Sequence, residues 1–326
     1  MELSSSFESR IELSKLKDKT DELRRVSGSV LVGQQKFFDL MLTALLADGH
    51  IIIEGVPGIA KTLAAKVLAK LIDAQFTRIQ FTPDLMPSDV LGTAIYNMKK
   101  SEFEFKKGPL FSNIVLIDEI NRSPAKTQAA LFEVMEERQI TMDGHSYPMA
   151  PLYMVLATQN PIEHEGTYKL PEAQLDRFLF KLNLEYLAKE DEIEILSRHN
   201  ENNRLHDVSA LKPVIGADHI LEFRSKISGV HVEKNLVAYI AEIVDATRRH
   251  KSVYLGASPR AGIAMLNGSK AFAALKGRDF VTPEDIKYIA GPVLNHRIIL
   301  TPEAEMEGFG VEAVCQKIMD KIEIPR

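Results

Sequence analysis

The chain holds a single cysteine, Cys315, among 326 residues. That shortage excludes an internal disulfide and a thiolate-cluster metal site, and it fits a reducing compartment. Long apolar runs are missing as well: none approaches the ~18 residues that a membrane span needs. The start, Met1-Glu2-Leu3-Ser4-Ser5-Ser6, does not resemble a signal peptide, so a cytoplasmic protein is expected. Nor is there an excess of positive charge. A net charge of −5 speaks against a chain that binds nucleic acid over its whole surface, leaving room only for a local basic pore. Internal repeats and low-complexity linkers are absent too. What remains, 45% hydrophobic and 26% charged, is an ordinary globular composition, long enough for about two domains, each with ample core.

One stretch organises the rest: Ile51-Ile52-Ile53-Glu54-Gly55-Val56-Pro57-Gly58-Ile59-Ala60-Lys61-Thr62. Three β-branched residues in a row read as the end of a buried parallel strand. A glycine-bearing loop follows, and Lys61-Thr62 opens a helix over Leu63–Leu71. This order is that of a phosphate-binding loop, in which backbone N–H groups and a helix N-terminus face an anion. Lys61 is placed to reach the β- and γ-phosphates of a nucleotide, and Thr62 to hold Mg²⁺. Ala60 stands where the pattern has its second obligatory glycine. Alanine suits that place if its φ is negative, because only positive φ strongly demands glycine.

A second stretch, Ile114-Val115-Leu116-Ile117-Asp118-Glu119, reads as a fully buried strand with two acids at its C-terminal end, where open α/β sheets bind ligands. Adjacent carboxylates there are costly unless a cation or a proton-accepting role uses them. Asp118 is the candidate ligand for the Mg²⁺ that Thr62 also touches, and Glu119 the candidate base for an attacking water. A further buried strand, Leu152–Ala157, runs into Thr158-Gln159-Asn160-Pro161, which puts the Asn160 amide beside the same water. A short helix over Pro171–Asp176 precedes Arg177 and a strand over Phe178–Leu184. By spacing alone Arg177 reads as an ordinary surface ion-pair residue.

Elsewhere the N-terminal residues 1–27 suggest a frayed start and a solvated helix. The run Val30-Leu31-Val32-Gly33-Gln34 and a helix from about 35 to 47 either cover an adenine ring or form plain core. Residues 75–81 suggest a strand and 84–90 a short helix. Two hairpins are expected, one joining Thr93–Asn97 to Glu102–Phe105, the other turning at Asp143-Gly144. From about Ala188 the alternation stops and only helices are expected, with clear starts at Ser258-Pro259 and Thr282-Pro283. Arg260 sits in the first turn of its helix, where the macrodipole disfavours a cation. An anion nearby, such as a nucleotide phosphate, would remove the conflict.

Laid end to end, these pieces resemble the AAA+ ATPases, and specifically the MoxR branch, over nearly the whole chain. Residues 55–62 match Walker A, Val115–Arg122 Walker B, Ala157–Pro161 sensor 1, Leu175-Asp176-Arg177-Phe178 the arginine finger, Gly256–Ala261 sensor 2, and Val32-Gly33-Gln34 the segment near the adenine. MoxR proteins commonly carry alanine where Ala60 stands. The hairpins resemble those of the helix-2-insert and pre-sensor-1 group, which includes magnesium-chelatase subunits and replicative helicases. The resemblance implies an α/β fold: a five-stranded parallel sheet domain over 1–187, followed by an all-helical lid over 188–326. It also implies ATP and Mg²⁺ as ligands, bound by Val32, Gly55, Val56, Pro57, Gly58, Ile59, Ala60, Lys61, Thr62 and Leu63 with Asp118. Glu119, Asn160, Arg177 and Arg260 would be the catalytic residues, Arg177 acting on a neighbouring subunit and Arg260 on its own. The implied assembly is a homo-oligomeric ring, a hexamer, that remodels a client protein, with a von Willebrand A-domain protein as a further implied partner. A nucleic-acid motor of the same clade and a non-catalytic nucleotide-dependent scaffold are the rival readings. Lys99, Lys100, Lys106 and Lys107 favour the motor, and Glu102 and Glu104 dilute that charge.

Overall fold

The structure, a computed structural model, describes residues 11–56, 58–142, 144–160, 168, 170–201 and 208–325. In chain order the first elements are α1 (Ser14–Gly28), α2 (Gln35–Leu46), β1 (Ile51–Gly55), α3 (Lys61–Leu71), β2 (Phe76–Gln80), α4 (Pro87–Leu91), β3 (Gly92–Asn97), β4 (Glu102–Lys107), β5 (Ile114–Asp118), α5 (Ala125–Glu137), β6 (Gln139–Met142) and β7 (His145–Pro148). There follow β8 (Met154–Gln159), α6 (Glu172–Leu175), β9 (Phe180–Leu184), α7 (Lys189–Glu201), α8 (Ala217–Ile227), α9 (Lys234–Arg249), β10 (Val253–Leu255), α10 (Pro259–Leu275), α11 (Pro283–Leu294), β11 (Ile299–Leu300), α12 (Pro302–Met306) and α13 (Val311–Met319).

Five strands form one parallel sheet in the order β2-β5-β8-β1-β9. Both faces are covered, which is why the strands read as apolar runs rather than alternating ones. Successive side chains still point to opposite faces. Ile51, Ile53, Ile114, Leu116 and Leu156 enter one core cluster, and Ile52, Val115, Ile117, Val155 and Ala157 the other. Helices α1, α2, α3 and the C-terminal helices pack on the first face, α4 and α5 on the second. The C-terminal ends of β1, β5 and β8 lie side by side, with β2 next to β5, so the loops that leave them share one edge.

Both expected hairpins form, although Asp143, expected at the turn of the second, lies outside the described residues. β3 pairs antiparallel with β4, Tyr96 opposite Phe103, and β6 with β7. Gly92 has φ +112, and a Cβ there would strike the Lys106 carbonyl, so glycine is required where the first hairpin begins. The hairpins touch through Phe105 and Tyr147, stacked with centroids 4.3 Å apart.

Two expectations need correction. Helix α1 is not a solvated appendage: Leu16, Thr20, Leu23 and Ser27 are buried and form one stripe. Two polar members disguise the stripe, and Thr20 is satisfied locally by donating to the Leu16 carbonyl at 2.8 Å. The C-terminal part is not wholly helical either, because β10 and β11 pair antiparallel. Strands of three and two residues carry no periodicity that a sequence could display. No helix among the described residues is long and apolar enough to cross a membrane.

Candidate functional site

At the end of β1 the chain has no room to spare. A Cβ on Gly55 would lie 2.7 Å from the Leu184 carbonyl oxygen. Gly58 has φ +89 with open space around it. Ala60, the residue before α3, has φ +56, so the expected negative φ is not found. The turn into α3 imposes a left-handed residue there, at a cost of roughly 1–2 kcal/mol for any side chain other than glycine. Pro57 lies outside the described residues. The Gln34 side-chain amide donates to the Ile59 carbonyl at 2.8 Å, which ties Val32-Gly33-Gln34 to the loop. Val32 and Ile59 are buried. Val56 turns the other way, into a separate cleft with Glu54 and Lys181.

A cavity of about 630 Å³ opens over the loop. Gly55, Gly58, Ala60, Lys61, Thr62 and Leu63 line one side. The other side carries Asp118, Glu119, Thr158 and Asn160. Lys61 donates from Nζ to the Gly55 carbonyl at 2.7 Å. Burial lowers its pKa from the usual lysine value, and the carboxylates of Asp118, Glu119 and Glu54 act against that shift.

The acid side is built on one hydroxyl. Thr158, at the end of β8, donates from Oγ1 to Asp118 Oδ1 at 3.2 Å and accepts the Glu119 backbone N–H at 3.0 Å. Glu119 has φ 58 and ψ 52. A non-glycine residue held in that region costs of order 1–3 kcal/mol, and Thr158 is one of the groups that hold it. The Glu119 carboxylate accepts from Gln80 Nε2 at 2.8 Å and pairs with Arg122 at 3.1 Å. Asp118 Oδ2 accepts from Arg78 Nε at 2.6 Å. Sequence reasoning missed Thr158, Gln80, Arg78 and Arg122 as parts of this site. A signal was present, since Gln80 ends β2 directly opposite Asp118 in register. Polar residues ending neighbouring parallel strands converge on one edge.

Arg177 and Arg260 do not line this cavity. Arg177, just after α6, is ion-paired with Glu136 on α5 and donates to the Phe132 carbonyl at 2.8 Å. Arg260 comes within 3.6 Å of the same Glu136 carboxylate. The anion expected beside Arg260 is therefore Glu136 in this structure. The start of α10 is held against the end of α6, away from the phosphate loop, by the Ser258 Oγ to Asp176 Oδ2 hydrogen bond at 3.3 Å.

The donors facing the cavity suit a Mg²⁺–nucleotide. A threonine hydroxyl and a carboxylate are hard oxygen ligands, and Mg²⁺ usually takes one or two protein carboxylates together with phosphate oxygens and water. Among the described residues no group of three or more His, Cys, Asp or Glu could enclose a metal alone.

A parallel β2-β5-β8-β1-β9 sheet, a lysine-bearing glycine loop after β1 and paired acids after β5 define a P-loop nucleotide-binding protein. Residues 50–180 match the family described as ATPase family associated with various cellular activities (AAA), and residues 245–319 match the AAA lid domain. The chain is 49% identical to the Bacillus subtilis protein YeaC, over 91% of this chain and 92% of that one. It is 40% identical to Chaperone MoxR1 of Mycobacterium tuberculosis, over 91% and 80%. A crystal structure from Cytophaga hutchinsonii, described as that of a candidate ATPase, superposes with a TM-score of 0.89 at 45% identity, covering 96% and 97%. The chain belongs to the MoxR family of AAA+ ATPases.

Proposed function

We propose that the protein binds ATP with Mg²⁺, hydrolyses it, and uses the cycle as a MoxR-type chaperone that remodels a client protein. One observation carries the reading: Asp118 and Glu119, fixed together by Thr158, face Lys61 across a single cavity. Backbone N–H groups of residues 58–63 and the start of α3 receive the phosphates. Lys61 leaves the Gly55 carbonyl for the β- and γ-phosphate oxygens. Thr62 and Asp118 would hold Mg²⁺, which when bound neutralises charge that builds on the phosphates. Glu119 takes the proton of the attacking water, and Asn160 orients that water. Val32, Ile59 and Leu63 shape the nucleotide end of the loop, whereas Val56 faces the separate cleft with Glu54 and Lys181.

Arg177 and Arg260 act in the pocket of an adjacent subunit, a reading supported by their shared contact with Glu136 outside the cavity lining of their own chain. A closed head-to-tail ring, a hexamer, supplies that arrangement. We divide the chain at 187/188 into the sheet domain and a lid that moves with nucleotide state. The two hairpins pass the movement to the client, and a von Willebrand A-domain protein is the proposed adaptor. The first hairpin does not favour a nucleic-acid motor, because Lys100 is ion-paired with Glu104. The direct test compares two variants. Glu119→Gln should bind Mg-ATP like wild type and hydrolyse it at least ~10²-fold more slowly, the lower range for loss of a general base. Lys61→Ala should lose affinity in a calorimetric titration. A Glu119→Gln variant that turns over at the normal rate would refute the assignment.

A further inference from the structure

Next to the two arginines lies a buried cation that the proposed chemistry does not use. The Arg297 side chain, just beyond α11, is only 4% exposed. It donates from Nε to Asp176 Oδ1 at 2.6 Å. From Nη2 it reaches the carbonyls of Asp176 at 3.0 Å and Phe178 at 2.6 Å, and from Nη1 those of Leu179 at 3.1 Å and Val293 at 2.7 Å. His296 Nε2 donates to the same Phe178 carbonyl at 2.9 Å. The backbone on both sides of Arg177 is thus pinned from one side chain. The remaining Asp176 oxygen accepts from Ser258 Oγ, and Ser258 Oγ in turn accepts the Arg260 N–H at 3.2 Å.

We propose that Arg297 is a positioning residue that fixes Arg177 and Arg260 as one two-pronged unit. Its guanidinium fork joins the segment bearing Arg177 to the helix start bearing Arg260, through Asp176 and Ser258. Only the two arginine side chains then have to turn, from Glu136 toward an incoming anion. A planar fork suits this work where an ammonium does not, since several fixed acceptors must be met at once in one geometry. The device spans the sheet domain and the lid, so that a shift of α11 relative to β9 moves both arginines together. This inference rests on the reading that the pair acts on the ATP of a neighbouring subunit.

The test uses full-length subunits mixed in equal amounts, with co-assembly checked by mass photometry. The control pairs Arg177→Ala with Glu119→Gln. Each is inactive alone, and about a quarter of random head-to-tail interfaces combine an intact pocket with intact arginines. Recovery toward a quarter of wild-type hydrolysis is expected, and a flat result overturns the trans reading itself. With that control passed, Arg297→Lys alone should lose at least tenfold in kcat with nucleotide affinity unchanged. Mixed with Glu119→Gln it should recover as the control does, whereas mixed with Arg177→Ala it should recover nothing. Wild-type kcat, or failure to recover with Glu119→Gln, overturns the positioning role. Asp176→Asn, which keeps the side-chain shape, is the second variant should Arg297→Lys not fold, and the same pattern of recovery and non-recovery decides.

Discussion

Thr158→Val deletes one hydroxyl and almost no volume, so its effect can be worked from the bonds that hydroxyl makes. Thr158 is 4% exposed, and the valine would fill the same space. The Glu119 N–H loses its acceptor at 3.0 Å. A buried donor left unsatisfied costs about 1–3 kcal/mol. Asp118 loses the donor at 3.2 Å but keeps Arg78, so this second loss is nearer the ~1 kcal/mol of an ordinary exchange. Together they give roughly 2–4 kcal/mol, at the lower end if water from the cavity reaches the N–H. Chemical denaturation of Thr158→Val and Thr158→Ser should show that loss for valine and under about 1 kcal/mol for serine, which keeps the hydroxyl. Hydrolysis adds a second readout. Without its acceptor Glu119 is released from φ 58 toward ordinary backbone angles, and kcat should fall at least tenfold while nucleotide affinity, assigned under the proposed function to the loop and Lys61, should stay within about threefold. A valine variant with wild-type kcat and stability within about 0.5 kcal/mol would refute the claim that this hydroxyl holds the two acids.

Two further outcomes follow from the same geometry. Ala60→Gly should stabilise the fold by up to about 1.5 kcal/mol, because relief of the left-handed strain, roughly 1–2 kcal/mol, offsets or exceeds the added freedom of the unfolded glycine, about 0.4–1 kcal/mol; a clear destabilisation in denaturant titration would show that the alanine is not strained. His50, which accepts the Val155 N–H at 3.0 Å, is held by burial and the nearby Arg138 at a pKa of about 3, against an ordinary 6.5. The unfolded chain therefore takes up this proton first. The stabilisation is complete above pH 6.5 and declines as the pH falls toward 3, by at most about 1.4 kcal/mol per pH unit from this one group. His50→Asn, which keeps an acceptor near the Nδ1 position, should show a shallower decline between pH 6.5 and 4 in denaturant titrations, and an unchanged slope would contradict the neutral buried imidazole.

The apolar run Ile51–Ile53, the strand Ile114–Ile117 and the loop Gly55–Thr62 are legible in the sequence for a local reason. Burial on both faces, turn glycines and a helix start each leave their mark within a few residues. Those marks also place Lys61, Thr62, Asp118 and Glu119 on the binding edge, because strand ends bearing polar residues converge there whatever the details of packing. The C-terminal helices announce themselves through N-cap and proline pairs, and Ser258 does cap α10 by accepting the Arg260 N–H. Left-handed backbone at Ala60 and Glu119 is different. Neither residue type asks for positive φ, and it is the fixed path from strand to helix that imposes it. Thr158 looks like any strand-end threonine until β8 is laid beside β5, and then its hydroxyl falls between two carboxyl-bearing residues about forty positions earlier in the chain. The pairing of Arg177 with Arg260 rests on contacts between Asp176 and residues 82 and 121 positions away. No periodicity carries such partners. Strand and helix patterns record which face is buried, whereas a hydrogen bond across the fold depends on where separate elements stop against one another, and only the packed chain decides that.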